Sequence, residues 1–232
     1  VMTLRIAFGL AALATTALSP VALTAQPQTS APAAQAPASG PEAEDRRLNT
    51  FLDAAFDARV EQQPQFLTQL GIKRHYDRLN NYTEAFAEQQ LQLLESQVAE
   101  MKAQFDPARL SPAGRLSYQL FEDSARRARE SWRFRRNAFP ATNNGSPMGN
   151  LPVFMINAHR VDNVADAEAY VARLRDVERV MNEISANMRR QAEAGIVPPR
   201  FNFAPVRADG RRVIAGAPFG DGSDSAVFAD FK

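Results

Sequence analysis

The longest helical pattern in the chain runs from Asn163 to Gly195, and it constrains the fold more than any other feature. Apolar residues recur along it at steps of three and four, which is typical of a helix that buries one stripe of its surface. Asn163 or the preceding Asp162 can cap its start, and Gly195 stands where a left-handed residue commonly ends a helix. A helix of this length extends about 45 Å, so we expect it to lie against several other helices.

Further helices are predicted on both sides of this one. An apolar helical face begins near Arg46, Pro64 suits the first turn of a short helix, and Thr83 can cap a third. Ser111 can cap a fourth helix that carries proline at its first position and ends near Arg136. A last helix follows a cap at residue 223 or 224. The sequence therefore predicts an all-α fold, mainly an array of antiparallel helices.

Two segments interrupt the helical pattern. Residues 137–162 are rich in turn-forming residues, yet they also contain the apolar run 151–156. We therefore predict one long ordered loop that lies across the helices. Asp209 and Gly210 stand between two short stretches with apolar residues, and this pair is typical of tight turns. A short hairpin near residues 203–215 is accordingly expected as an exception to the helical fold.

The N-terminal residues have the composition of an exported protein. Arg5 precedes a short apolar run, and small residues follow it, so residues 1–25 are predicted to be a signal peptide. A membrane anchor is the alternative, although the run is short for crossing a bilayer. Residues 26–45 are rich in Pro, Ala, Ser and Gln and are predicted to be a disordered linker. Residues 46–232 would form the helical region of a periplasmic or secreted protein.

The charge balance and the absence of cysteine exclude several classes of function. The chain has 27 basic and 26 acidic side chains and a formal charge of +1, which gives no reason to expect nucleic acid as a partner. A membrane partner is likewise not expected after signal cleavage. Without cysteine there can be no disulfide, no thiolate metal ligand and no acylated lipoprotein N terminus.

Arginines crowd the end of the fourth predicted helix, and Arg133 and Arg136 share one of its faces. One interpretation is a solvated face that pairs with acidic residues such as Asp176 and Glu183. The other is a clamp for an anion or a substrate carboxylate, because a guanidinium group binds a carboxylate through two parallel hydrogen bonds. Both arginines are therefore candidates for the wall of a substrate cleft.

The predicted loop contains the other cleft candidates. Asn143, Asn144 and Gly145 offer amide and backbone donors, either in a purely structural turn or in the wall of a cleft. His159, near the end of the same loop, is a further candidate. The only other histidine is His75. We expect each histidine to make ordinary hydrogen bonds at the surface or in a loop, and we predict no metal ligand in this chain.

Several segments, in this order, resemble the N-terminal part of a bacterial family catalogued as domain of unknown function 885. The resemblance covers about residues 46–232. The segments are PQFLTQLGIKRHYDRLN, the Asn-Asn-Gly loop ending in LPVFMINAH, DAEAYVARLRDV, AGIVPPRF and AGAPFGDGSDSAVFADFK.

The resemblance implies a zincin-like, largely helical metallopeptidase whose zinc-binding segment lies downstream of Lys232. On this interpretation the chain is an N-terminal fragment that is inactive alone. Its partners would be its own C-terminal half and a peptide substrate. The zinc would be bound by the segment downstream of Lys232. One flank of the helix from Asn163 to Gly195 would then be an exposed apolar patch that the C-terminal half covers. The alternative is a non-enzymatic helical binding or scaffold module of the cell envelope.

Overall fold

The computed structural model describes residues 40–232, and these residues form α-helices and short 3-10 turns but no β-strand. The all-α prediction is confirmed for this part of the chain. Residues 1–39, with the predicted signal peptide and most of the predicted linker, lie outside the described residues. The helices are α1 (Pro41–Val60), α2 (Pro64–Gln69), α3 (Glu84–Gln104), α4 (Pro112–Trp132), α5 (Pro147–Ala158), α6 (Val164–Glu193), α7 (Phe203–Val213) and α8 (Ala226–Phe231). Across residues 40–232, no helix combines the length and the apolar character needed to cross a membrane.

Three of the helices begin at the capping residues that the sequence predicts. The side chains of Thr83, Ser111 and Asn163 each accept a hydrogen bond from a backbone N–H in the first turn of α3, α4 and α6, respectively. Each cap satisfies a donor that has no partner within the helix itself. Gly71, just after α2, has a φ of 77°, a conformation that glycine adopts without steric cost.

The first helix begins earlier than the sequence predicts. α1 starts at Pro41, so residues 41–45 are helical and do not belong to a disordered linker. Proline suits the first helical position, and acidic residues in the first turn are favoured by the helix dipole. The carboxylate of Asp45 also accepts a hydrogen bond from the backbone N–H of Ser111, at 3.1 Å. This contact with the start of α4 orders a segment whose composition alone suggests disorder.

The prediction of one long ordered loop was wrong, because residues 147–158 form α5. Ser146 caps this helix and Pro147 occupies its first position, so residues that favour turns here start a helix. Pro152 lies inside α5 and removes one backbone donor. The helix persists because its apolar side packs in the core, where Met155 is 1% exposed.

The hairpin predicted near residues 203–215 was also wrong, because this segment forms α7. Asp209 and Gly210 lie within the helix. The hydroxyl of Ser146 donates a hydrogen bond to the carboxylate of Asp209 at 3.2 Å, and Gly210 lies beside Met148 of α5. The packing of α7 on α5 therefore overrides a local turn signal.

The core has one part around α1, α3 and α4 and another around α5 and α6. In the first part, Leu48 and Met101 are completely buried. α3 and α4 run antiparallel, since Glu95 pairs with Arg129 while the later residue Lys102 pairs with the earlier residue Glu122. In the second part, the apolar side chains of α5 pack on those of α6.

Polar contacts hold α6 to the segment between α2 and α3, residues 70–83, which we call the connector. The carboxylates of Asp176 and Glu183 accept hydrogen bonds from the backbone N–H groups of Leu79 and Tyr82, at 2.9 and 2.8 Å. Arg179 bridges the two carboxylates at 2.7 and 2.8 Å. Asp176 and Glu183 are therefore not the partners of the arginines of α4. Exposed arginines of α4 do pair with acidic residues, as one of the two interpretations above expects, but the partners are Asp123, Glu130 and Glu95.

We expect Leu48→Ala to destabilise the protein by about 2–5 kcal/mol, because the substitution removes apolar contacts and leaves a cavity in the core. Thermal unfolding followed by circular dichroism should show a Tm lower by about 4 °C or more. Leu120→Ala is the matched control. Leu120 lies on α4 and is 60% exposed, so its loss should change stability by no more than about 0.5 kcal/mol. Equal effects of the two substitutions would contradict the assignment of Leu48 to the core.

Candidate functional site

The structure divides the predicted cleft residues among three places. Asn143, Asn144 and Gly145 precede α5, whereas His159 follows it. The length of α5, about 18 Å, therefore separates the loop from the histidine. Arg133 and Arg136 follow α4. These residues do not form a single site.

The Asn-Asn-Gly segment forms a tight turn that is held by its own backbone. Thr142 and Gly145 exchange two backbone hydrogen bonds, at 2.9 and 3.2 Å. The backbone N–H of Asn143 donates to the side-chain oxygen of Asn202 at 2.9 Å, and that of Asn144 donates to the hydroxyl of Thr142. The backbone donors of both asparagines are therefore used within the protein, while their side chains are exposed. The turn fixes the start of α5.

His159 is a buried residue rather than the surface or loop residue that the sequence suggests, since it is 4% exposed. Its Nδ1 atom accepts a hydrogen bond from Arg173 at 2.9 Å, and its Nε2 atom donates to the carbonyl oxygen of Asp166 at 3.0 Å. The ring of Tyr76 stacks on it with the ring centroids 4.0 Å apart. Because an arginine can only donate, the histidine must be neutral and protonated at Nε2. Burial lowers the pKa of His159 and favours this form.

Arg173 is completely buried and lies at the centre of the same network. Its guanidinium donates to the carbonyl oxygen of Arg78 at 2.9 Å, to the hydroxyl of Thr68 at 2.7 Å and to His159. It lies 4.9 Å from the ring centroid of Tyr76. Within residues 40–232 no carboxylate forms an ion pair with this arginine, and burial lowers its pKa to about 10. The network joins α2, the connector, α5 and α6, and its role is structural.

The arginines after α4 form a charged cavity that the sequence predicted only in part. The side chains of Arg135, Arg136 and Arg190 surround the carboxylate of Glu84, at the start of α3. Two nitrogen atoms of Arg136 donate hydrogen bonds to the two oxygen atoms of this carboxylate, at 2.9 and 3.2 Å. These hydrogen bonds lower the pKa of Glu84. We call the space of about 160 Å³ beside them the Glu84 cavity. Arg133 does not line it and instead lies 4.6 Å from the ring centroid of its neighbour Phe134.

A larger cavity of about 440 Å³ lies between α5, α6, α7 and α8, and we call it the apolar cavity. Met155, Leu174, Val177, Ile214 and Phe228 are among its walls. Sequence reasoning missed it because two of its walls, α5 and α7, were predicted as a loop and a hairpin. The apolar run 151–156 was the available signal.

The described residues do not fit a zinc ion. Within residues 40–232 there is no group of three or more His, Cys, Asp or Glu side chains that could hold a metal. Both ring nitrogens of His159 are engaged. His75 lies 2.9 Å from the carboxylate of Glu61 in an exposed pair beside Arg74. The two histidines therefore supply fewer ligands than a protein zinc site normally provides.

Comparison with known families identifies the chain. The model of a bacterial protein family of unknown function, DUF885, matches residues 64–232. The chain belongs to this family. The match extends from α2 to α8 and includes both cavities. Comparison with curated proteins and with solved structures found no match. The DUF885 description names no activity, substrate or metal.

We expect the stability of the protein to fall as the pH is lowered through 6.5. The folded state lowers the pKa of His159 from its ordinary value of 6.5, so the unfolded state binds the proton more readily. The contribution of neutral His159 is therefore complete above pH 6.5 and is lost as the pH falls toward the folded-state pKa, with a slope of up to about 1.4 kcal/mol per pH unit. Urea unfolding between pH 5 and 8 measures this slope.

The variant His159→Gln should be less stable at pH 7.5 but should show a shallower decline between pH 6.5 and 5. His75→Gln is the control, because it removes the exposed histidine and should keep the decline. A histidine NMR titration of the unmodified protein gives a second readout. A His159 pKa above 6.5, or an unchanged slope in His159→Gln, would contradict the buried neutral histidine.

Proposed function

We propose that this chain is the peptide-binding helical part of an exported, peptidase-like protein of the DUF885 family. In this proposal the apolar cavity accepts an apolar side chain of a peptide. The observation that carries the proposal is the cavity itself. Its volume of about 440 Å³ lies within the range of about 300–1,000 Å³ that is usual for ligand-binding pockets.

The lining of the cavity favours an apolar ligand. Among the described residues that form its walls, Ser225 alone carries a polar side chain. Leu174, Ile214 and Phe219 line it and are 38, 61 and 63% exposed, so apolar surface is available to a ligand. Full burial of one leucine or phenylalanine side chain contributes about 1.5–3 kcal/mol, which is enough for a measurable preference.

The peptidase part of the proposal rests on the resemblance described above, and so does export. Because residues 40–232 do not fit zinc, a catalytic metal would be held by residues outside this range, and no catalytic step is assigned to the described side chains. The coding sequence downstream of Lys232 tests this part. A helical motif with two histidines and a glutamate would support zinc-dependent hydrolysis, and a downstream sequence without one would contradict it.

A helical binding module of the cell envelope is the second candidate, and the apolar cavity favours it as well, because binding requires no catalytic group. The two candidates differ in their response to zinc. The protein with its downstream sequence should hydrolyse peptides only with zinc if the first is correct. Peptide binding with no zinc-dependent hydrolysis would favour the second.

We expect Leu174→Asp to weaken the binding of a leucine- or phenylalanine-containing peptide by about tenfold or more. A carboxylate in the cavity must be desolvated when an apolar side chain enters, and the apolar contact of Leu174 is lost. Isothermal titration calorimetry with an N-acetylated, C-amidated peptide measures the affinity, and the same peptide with alanine at that position should bind weakly to the unmodified protein.

Leu120→Asp is the matched control, because it places the same charge on an exposed leucine of α4 outside the apolar cavity. It should leave peptide affinity unchanged. The proposal fails if the leucine and alanine peptides bind equally, or if both aspartate variants weaken binding to the same extent.

A further inference from the structure

The Glu84 cavity carries more positive charge than its own residues neutralise. The guanidinium groups of Arg135, Arg136 and Arg190 converge on one carboxylate, and among the described residues Glu84 is the only acidic one in the lining. The first turn of α3, where Glu84 lies, adds further positive potential through the helix dipole. A net charge of about two positive units therefore faces a small, partly open space.

Hydrogen-bond donors remain for a second anion. The Nε and Nη2 atoms of Arg136 and the Nε atom of Arg135 bind Glu84, and the Nη1 atom of Arg135 binds the carbonyl oxygen of Trp132. The Nη2 atom of Arg190 binds the side-chain oxygen of Asn187. The other Nη atoms of these three arginines make no hydrogen bond within residues 40–232. Each of these Nη atoms carries two N–H groups, which can donate hydrogen bonds to an oxyanion.

The walls of the cavity are joined by polar contacts, and its arginine side chains are partly buried. Asn187 donates to the carbonyl oxygen of Tyr82 at 2.6 Å, and Gln191 donates to that of Ala138 at 2.8 Å, so polar contacts join the walls of the cavity. The side chains of Arg135 and Arg136 are 34 and 41% exposed. Charge-assisted hydrogen bonds in a partly desolvated space are stronger than those of fully solvated side chains.

We propose that the Glu84 cavity binds the carboxylate group of a small acid or of a peptide with a free C terminus. The bound carboxylate of Glu84 already shows that this group of guanidiniums is complementary to a planar carboxylate. Guanidinium groups bind carboxylates in a bidentate manner, which favours a carboxylate as the second occupant. The proposal does not depend on the apolar cavity or on peptidase activity.

Trp132 provides the measurement. It is the only tryptophan in the chain, and the Arg135 guanidinium lies 4.8 Å from its ring centroid. A carboxylate that binds Arg135 should therefore change the fluorescence of Trp132. We expect a saturable change when acetate is added at constant ionic strength, and none when chloride replaces it. Phosphate that gives a saturable change where acetate does not would overturn the carboxylate assignment.

Substitutions with opposite expected effects make the test specific. Arg190→Gln removes one guanidinium and should weaken acetate binding about fivefold, whereas Glu84→Gln removes the competing carboxylate and should tighten it by a similar factor. Arg189→Gln is the control, because Arg189 is an exposed arginine of the same helix that does not line the cavity. Circular dichroism confirms that the variants are folded. A titration curve that is unchanged in both Arg190→Gln and Glu84→Gln would overturn the proposal.

The source of the carboxylate is distinguished by a pair of N-acetylated dipeptides that differ only at the C terminus. If the ligand is a peptide terminus, the free acid should bind more tightly than acetate, and the C-terminal amide should not compete. If a small acid is the ligand, acetate and the dipeptide acid should bind equally. Equal binding of the dipeptide acid and its amide would overturn the carboxylate site.

Discussion

The buried guanidinium of Arg173 is the interaction on which the C-terminal half of the structure depends. A charged group that is removed from water loses a large hydration energy, and Arg173 recovers part of it from neutral acceptors in three separate segments. These acceptors must keep their positions, because an unsatisfied buried donor is costly. The requirement fixes α2 and the connector against α6. It also fixes the end of α5, since His159 is one of the acceptors.

The same constraint explains why the apolar cavity has defined walls. α5 is held at one end by His159 and at the other by Ser146, which binds Asp209 of α7. These contacts at both ends position α5 beside the space between α6 and α8. A cavity of about 440 Å³ remains open there. In α5, polar contacts at the two ends thus accompany an apolar surface in the middle of the helix, which lines the cavity.

The sequence predicted the helices whose ends depend on local chemistry, and it failed where distant contacts decide. Thr83, Ser111 and Asn163 cap helices through atoms only three residues away. In α5 and α7, by contrast, proline, asparagine and glycine give local turn signals, and tertiary packing overrides them. Arg136 could be identified as an anion-binding candidate from its crowded neighbourhood in sequence. Its partner Glu84 is 52 residues away, and no local pattern connects the two residues.

The two candidate sites share α6, but the structure gives them no evident means of influencing each other. Leu174 lines the apolar cavity and Arg190 lines the Glu84 cavity, and their separation of sixteen positions corresponds to about 24 Å of helix. Coupling over such a distance requires an element with two alternative arrangements. α6 is instead held between its ends by Arg179, Asp176 and Glu183, which bind the connector, and it is packed against α5. A ligand shifts a conformational equilibrium only by the difference in its affinity for the two states. Because these contacts hold α6 in one arrangement, we expect the two cavities to bind their ligands independently.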